Sequence, residues 1–504
     1  MTATFVPSIP PALSERLIWQ DGSFHASEEL KGDPLLDSLF AQCSREMGII
    51  VVPCRWYAPR TFEKIFGVRL NTKEASFNAM VDTIVDLLRQ AWELRASDIH
   101  ITYWGPYTTI ELRRLGLVQP FKTMNGTEGL ALISALFQSE VSQGGESSFT
   151  PMEQHDARIA RREFLPEGLF AVRLHAEPIL SPYIASPGTF VAVRLLYDAT
   201  SVQGSLEQRV GALGYLPEQQ KLLRMFTERS GLSIIAGPTG HGKSTLLKNI
   251  MEAMIEQNPT KNFMTLEDPP EYRIRGAKQR LVISKNNLEN ARKQEMVTAV
   301  AGFMRSDLDV GMIGEIRYLE LALAAIESAM TGHGVWTTLH ASSAFGIIPR
   351  LREMGVPLKE LYEDNVLTGL IYQRLLPVLC PRCSQPLELS TLQPQFRDRL
   401  ERLFDRDELK NIRVKGSGCP HCSNMGLTGL RVAAEVVPIT PALLGILKND
   451  SLREAKLYWL NEMNGLTHVA HARQRVLAGE VDPAIAEERL GVTLDFDLEW
   501  EGAA

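Results

Sequence analysis

The chain has 504 residues, 44% of them hydrophobic and 22% charged, with a formal net charge of −7. That is ordinary globular composition with enough chain for about three domains, and the acidic balance excludes a general electrostatic drive toward nucleic acid or anionic lipid. No apolar run approaches the roughly eighteen residues of a membrane span, and Met1 to Pro10 lacks a basic stretch followed by an apolar one, so a cytoplasmic location is expected.

Residues 1–75 mix short apolar runs such as Met47 to Val52 with scattered prolines and contain no motif, so their role is unreadable. From Ser76 the pattern turns helical. Met80, Ile84, Leu87, Leu88, Trp92 and Leu94 recur at three- and four-residue spacing until Ala96. Alternating residues predict strands at 98–101 and 108–113, a helix follows near 129–139, and further strands are predicted at 169–174 and 190–196. Together they predict a small α+β domain over residues 76–200. The polar stretch Asp198 to Ser205 reads as a linker.

A second domain opens with the short β-branched run Ser233 to Ala236, followed by Gly237-Pro-Thr-Gly-His-Gly-Lys-Ser244, which fits G-x-x-x-x-G-K-[ST]. After it, Leu246, Leu247, Ile250, Met251 and Met254 share one helical face. Strand, loop and helix in that order predict a phosphate-binding loop. Its glycines turn backbone N–H groups toward a phosphate, the helix N-terminus adds positive potential, Lys243 reaches the β/γ-phosphates and Ser244 offers a hydroxyl to Mg²⁺. Gly237, Pro238, Thr239, Gly240, His241, Gly242, Lys243, Ser244 and Thr245 are therefore the predicted nucleotide-binding residues.

Beyond the helix, a strand candidate at 262–266 runs into Glu267-Asp-Pro-Pro-Glu271, and carboxylates at a strand's C-terminal end face the nucleotide in open α/β sheets. Another apolar strand, beginning at Asp309, ends in Glu315, as a strand tip does when it holds a carboxylate near Mg²⁺ or an attacking water. A helix is predicted at 319–330 and a buried strand at 335–339, the strand bracketed by His333 and His340. A histidine taken singly reads equally well as a packed side chain. Further on, Cys380/Cys383 and Cys419/Cys422 form two C-x-x-C pairs whose knuckle form presents four thiolates to one tetrahedral Zn²⁺. The last sixty residues read as helical, and the acidic tail Asp495 to Glu501 carries no readable signal.

This ordered run of motifs resembles the secretion ATPase superfamily, which includes the type II secretion and type IV pilus assembly ATPases. Gly237 to Ser244 resembles the family's Walker A, Thr265 to Glu271 its Asp box, Arg305 to Arg317 its Walker B segment and Thr331 to His340 its His box. Gln373-Arg-Leu375 before Cys380, Ala96 to Ile101, and the strands carrying Arg173 and Arg194 also match. The resemblance covers roughly residues 80 to 440. It implies a RecA-like P-loop ATPase domain (201–379) preceded by a small α+β, PAS-like domain (76–200). A zinc-binding tetracysteine module (380–440) and a C-terminal helical region (441–504) follow.

By the same resemblance the chain is a homohexameric ATPase requiring ATP, Mg²⁺ and Zn²⁺, peripheral at the inner membrane, that acts on a membrane platform protein to add pilin subunits, with no nucleic acid expected. Glu315 would orient or activate water, Glu271 would lie near metal or water, His340 would sense the γ-phosphate, and Arg173 and Arg194 would approach nucleotide as arginine fingers. Two other readings are a DNA-transfer ring ATPase and a non-hydrolysing, ATP-dependent scaffold. The departures are local. Leu115 stands where an aspartate is usual, Leu308 where a proline is, and Tyr318 where an aspartate is, and the stretch between Arg173 and Arg194 is long.

Overall fold

The computed structural model describes residues 7, 9–10, 13, 16–31, 33–47, 52–66, 73–138, 141–143, 149–198, 204–282, 289–303 and 305–498. The chain divides into two compact units, one of residues 1–112, 120–167 and 171–195 and the other of 113–119, 168–170 and 196–504.

The first unit holds a small sheet and most of a larger one. Strands β1 (Leu17–Gln20), β2 (Ser23–Ser27) and β3 (Cys54–Tyr57) form a small sheet, while Leu17, Phe24, Leu36, Leu39 and Cys43 bury together as its core. This is organised structure within a stretch whose sequence carries no motif. The larger sheet contains β4 (Asp98–Tyr103), β5 (Tyr107–Arg114), β6 (Leu117–Asn125), β7 (His155–Ile159), β8 (Leu169–Ile179) and β9 (Gly188–Tyr197), in the order β6-β5-β4-β9-β8-β7. Helices Lys73–Glu93 and Gly126–Leu136 pack on one another beside it. The two predicted helices and four predicted strands are present. Strands β6 and β7 escape sequence reading because their outward residues are polar on a half-exposed surface. Between β5 and β6, Leu115 (φ 50°) and Gly116 (φ 83°) both take left-handed backbone, as a two-residue hairpin turn requires. Aspartate or asparagine adopts that conformation more readily than leucine, so the departure at Leu115 leaves the turn in place.

In the second unit, β10 (Gly231–Ala236), β11 (Phe263–Glu267), β12 (Lys278–Leu281), β13 (Val310–Ile313), β14 (Gly334–Leu339), β15 (Leu367–Leu379) and β18 (Leu427–Pro438) build a seven-stranded sheet. A short pair, β16 (Gln385–Pro386) and β17 (Arg413–Val414), precedes β18 in sequence. The order is β12-β11-β13-β14-β10-β15-β18, parallel throughout except for the β15–β18 pair. Alternate residues serve opposite faces. Leu232, Ile234 and Ala236 of β10 pack with helix Leu319–Met330, whereas Ile235 packs with Leu246, Leu247, Ile250 and Met251 of helix Lys243–Gln257. Because both faces are covered, β10, β11, β13 and β14 read as largely apolar runs, which is why they are legible in sequence; β12, Lys278–Leu281, is polar and was not read.

Two departures find a physical account here. Leu308 is buried in the core. Tyr318 occupies the N-cap of helix Leu319–Met330 without a capping hydrogen bond, and its ring instead packs on the core with Lys293 Nζ 5.8 Å from its centroid. The polar stretch taken as a linker falls mostly on 199–203, outside the described residues. Its end is helical in function, for Ser205 caps helix Leu206–Leu213 through a reciprocal pair with Gln208.

The C-terminal region is helical as predicted, with helices Pro441–Lys448, Leu452–Asn461, His468–Leu477 and Pro483–Leu490. Part of the acidic tail is docked: Asp497 is buried and accepts from Thr467 and Arg473. Glu435 of β18, 3% exposed, accepts the Ala344 N–H at 2.8 Å and lies 2.7 Å from His468 Nδ1. Burial raises its pKa, but the His468 charge and hydrogen bond and the Ala344 N–H outweigh this and hold it below the ordinary carboxylate value. A depressed folded pKa stabilises above the unfolded value and is lost as pH falls through the folded one. Glu435→Gln is therefore expected to destabilise this unit by about 3 kcal/mol at pH 7. In thermal melts against pH the difference from the parent should shrink below about pH 4; a constant difference down to pH 2 would contradict an ionised Glu435.

Candidate nucleotide site

Six parallel strands end on the same side of the sheet, and the C-terminal ends of several collect the residues singled out by sequence. Strand β10, buried along its length, runs into the loop 237–242, and helix Lys243–Gln257 starts directly after it. The glycines are required. At Gly237 (φ 152°) a Cβ would lie 2.4 Å from the Gln373 carbonyl oxygen, and Gly242 (φ 77°) is the left-handed residue that begins the helix. At Gly240 (φ 77°) a Cβ would meet nothing within 4 Å, so only the left-handed backbone calls for glycine there. Thr239 is exposed beside it, and Pro238 and Ser244 are half-buried. Thr245 Oγ1 is 3.0 Å from the Tyr272 hydroxyl.

Lys243 is 9% exposed and folds back to donate to the carbonyls of Gly237 at 2.8 Å and Pro238 at 3.0 Å. Burial lowers its pKa, while the charges of Glu315 and Glu271 oppose the shift. The ammonium thus sits in the loop with its own carbonyls as partners, ready to exchange them for phosphate oxygens.

Glu315 lies two residues past β13, its backbone course set by Gly314 N–H donating to Leu266 and Ile316 N–H donating to Thr338. Its two carboxylate oxygens have different partners: Oε1 is 2.7 Å from His340 Nε2, and Oε2 accepts from Arg317 at 2.6 Å. His340 follows β14 directly, and its Nδ1 is 3.1 Å from the Gly237 carbonyl oxygen. Both ring nitrogens therefore face acceptors, which only the imidazolium satisfies in full. Burial, and then the charge of Lys243, nevertheless lower the His340 pKa. The proton between His340 and Glu315 is consequently sensitive to charge at Lys243. His333 is at the opposite end of the six-residue strand, about 20 Å away by strand rise, bonded to Ser328 and Thr331.

At the end of β11, Glu267 is buried, accepts from Thr265 Oγ1 (2.7 Å) and Gln279 Nε2 (3.0 Å), and has its pKa raised chiefly by burial. Glu271 is exposed, four residues on, and near enough for its charge to act on Lys243. Loop, Glu315, His340 and Glu271 thus converge. Arg173 and Arg194 belong to the other unit. Arg173 of β8 stands opposite Arg158 of β7, and Arg194 of β9 donates to Asp98 of β4 at 3.0 Å.

Sequence reading missed four participants. Arg317 occupies one Glu315 oxygen, Gln279 supports Glu267, and Gln373 and Tyr215 brace the loop from β15 and a preceding turn. Gln373 and Arg317 lay inside motifs that were read, though without a role; Gln279 and Tyr215 carried no signal, being ordinary residues outside any motif.

The four cysteines also come together. Their Sγ atoms all lie within 4.8 Å of one another, with 3.8 Å between Cys380 and Cys419, Cys383 and Cys422, and Cys419 and Cys422. The N–H groups of Cys419 and Gly426 donate to Cys422 Sγ at 3.2 and 3.1 Å. Burial pushes the Cys422 thiol up, but these donors and then the neighbouring thiols bring it down to about 6. Burial and its neighbours push the Cys383 thiol up to about 12.

The family described as Type II/IV secretion system protein matches residues 73–488. Among curated relatives, the type II secretion system ATPase E of Vibrio cholerae is 29% identical over 75% of this chain and 68% of its own length. The type IV pilus assembly ATPase PilB of Thermus thermophilus is 31% identical over 71% of this chain but only 37% of its own length. Among solved structures, the pilus retraction motor PilT with bound ADP aligns with a TM-score of 0.50 at 22% identity, covering 81% of this chain and 96% of that one. The ATPase DotB of Legionella pneumophila aligns at 0.54 and 18%, covering 80% and 94%. At those identities the two structures establish a shared fold.

Proposed function

The chain belongs to the Type II/IV secretion system protein family, and from that premise we propose that it is a hexameric motor whose ATP hydrolysis drives assembly of pilin-type subunits, in a type IV pilus or a type II secretion system. It is an ATPase, converting ATP and water to ADP and phosphate. The observation that carries the reading is the convergence of Lys243, Glu315 and His340 on one phosphate-sized loop.

Positioning and charge stabilisation do most of the work in phosphoryl transfer. Lys243 would leave the Gly237 and Pro238 carbonyls for the β/γ-phosphates. Ser244 would hold Mg²⁺, which supplies charge neutralisation between phosphate oxygens. Glu315, released from Arg317, would orient the attacking water, with Glu271 close by and His340 registering the γ-phosphate through its shared contact with Gly237 and Glu315. Among the described residues no helix is long and apolar enough to cross a membrane, which fits a peripheral motor acting on a membrane platform protein.

The tetracysteine cluster fits Zn²⁺. A tetrahedral ion with Zn–S bonds of about 2.3 Å requires sulfur pairs about 3.8 Å apart, the separation found between Cys380 and Cys419, Cys383 and Cys422, and Cys419 and Cys422. The ion would act as a structural cross-link between β15 and β18, which leave the cluster as paired strands.

Ring closure by head-to-tail contacts allows neighbouring subunits to share an active site, and Arg173 and Arg194 are the proposed contributors in trans. Lys243→Ala and Arg173→Ala proteins should each be nearly inactive alone. Mixed under conditions of subunit exchange, they should regain phosphate release, because some interfaces would pair an intact loop with an intact Arg173. Demonstrated exchange without recovery would assign Arg173 to its own chain or to no catalytic role.

A further inference from the structure

Within the phosphate-binding loop, the His241 side chain accepts a hydrogen bond from the backbone of a neighbouring strand. His241 lies between Gly240 and Gly242, both at φ 77°, where the backbone is least constrained. Two hydrogen bonds attach this residue to β15: Leu375 N–H donates to its Nδ1 at 2.9 Å, and Gln373 Nε2 donates to its carbonyl oxygen at 2.6 Å. Gln373 is itself held. It is 2% exposed, and its Oε1 accepts the hydroxyl of the buried Tyr215 at 2.5 Å.

We infer that His241 is a positioning residue, a neutral imidazole whose Nδ1 latches the phosphate-binding loop to strand β15 before nucleotide arrives. The inference rests on the loop being the nucleotide site and adds how that site is held in shape. An Nδ1 that accepts a backbone N–H cannot carry a proton, so the ring must be the neutral tautomer with hydrogen on Nε2. The surroundings favour that form: burial first, then the charges of Arg374, Arg489 and Lys243, bring the His241 pKa down to about 4. A glycine-rich loop must lose backbone freedom to aim its N–H groups at one phosphate, and an anchor made in advance removes that cost from the binding step. Tyr215, Gln373 and His241 thus form a chain of contacts ending inside the loop, and β15 continues from Leu375 to Cys380 within five residues.

The test is the affinity of the full-length protein for the fluorescent nucleotide mant-ADP with Mg²⁺. Asparagine places Oδ1 where His241 has Nδ1, so His241→Asn retains the acceptor and is expected to lose less than about threefold in affinity. His241→Gln moves the acceptor one bond outward and His241→Leu has none, so both should weaken binding about tenfold, the worth of roughly one hydrogen bond. Packing alone predicts the reverse order, because leucine is closer to histidine in volume than asparagine is. Tyr215→Phe, which disturbs the latch remotely through Gln373, should weaken binding about threefold and guards against misfolding of the loop variants. Leu and Gln variants that bind like the parent, or an Asn variant as weak as Leu, would overturn the latch. A parental protein that does not bind mant-ADP, or that binds it as tightly after Lys243→Ala, would overturn the nucleotide site itself, and with it the basis of the latch.

Discussion

Glu315→Gln is expected to reduce steady-state phosphate release by at least about a hundredfold while ATP affinity changes by no more than a few-fold. The size follows from the usual worth of a positioned acid–base group, about 10² to 10⁴, and the selectivity follows from geometry. Glutamine keeps the shape and can still meet His340 Nε2 and Arg317, the present partners of Glu315. What it lacks is the negative charge needed to hold and polarise a water at the reaction step. Lys243→Ala should behave differently and lose both binding and turnover. It removes the ammonium folded into the loop on Gly237 and Pro238, whose positive charge would offset that of the phosphates in binding and in the reaction. Single-turnover and steady-state phosphate release, with equilibrium binding beside them, separate the two effects. A Glu315→Gln protein turning over at the parental rate would remove Glu315 from the reaction.

Purified protein should carry about one zinc per chain, and Cys419→Ser or Cys422→Ser should lose the metal and lower the melting temperature of the C-terminal unit by at least about 10 °C. Structural zinc sites contribute on the order of 10 kcal/mol of apparent binding energy that the unfolded chain cannot use. Each kilocalorie moves the transition of a unit this size by a few degrees. The site is also where the two longest strands of the sheet begin and end: β15 leads into Cys380 and β18 leaves five residues after Cys422. Loss of the ion would free both connections from each other. Elemental analysis and thiol titration decide the matter, and a fully folded, metal-free protein with four reactive thiols would refute the site.

How much of this was legible beforehand varied with the kind of signal. The parallel strands β10, β11, β13 and β14 were readable because each is buried on both faces and therefore largely apolar. Helix Leu319–Met330 was predicted at its observed bounds, and helix Lys243–Gln257 by its apolar face. Strands β6 and β7 were not readable, since a half-exposed strand with polar outward residues leaves little pattern. The three-stranded sheet of the first unit was hidden for a related reason: its strands are four or five residues long, too short to establish a period.

The candidate site shows the same division. Sequence by itself singled out the candidate residues, because phosphate binding needs glycines, a lysine and a hydroxyl at close fixed spacing, and paired C-x-x-C motifs have the spacing that a tetrahedral metal site uses. It also determined the family, since the motifs occur in one order along the chain. Only the tertiary structure decided how these residues are held: Glu315 between His340 and Arg317, Lys243 against its own loop carbonyls, and His241 bonded to Leu375 134 residues away. Those contacts depend on which strands become neighbours in the sheet. A hydrogen bond between residues more than a hundred positions apart leaves no spacing to read, because its geometry is set by β10 lying between β14 and β15 and not by the distance along the chain.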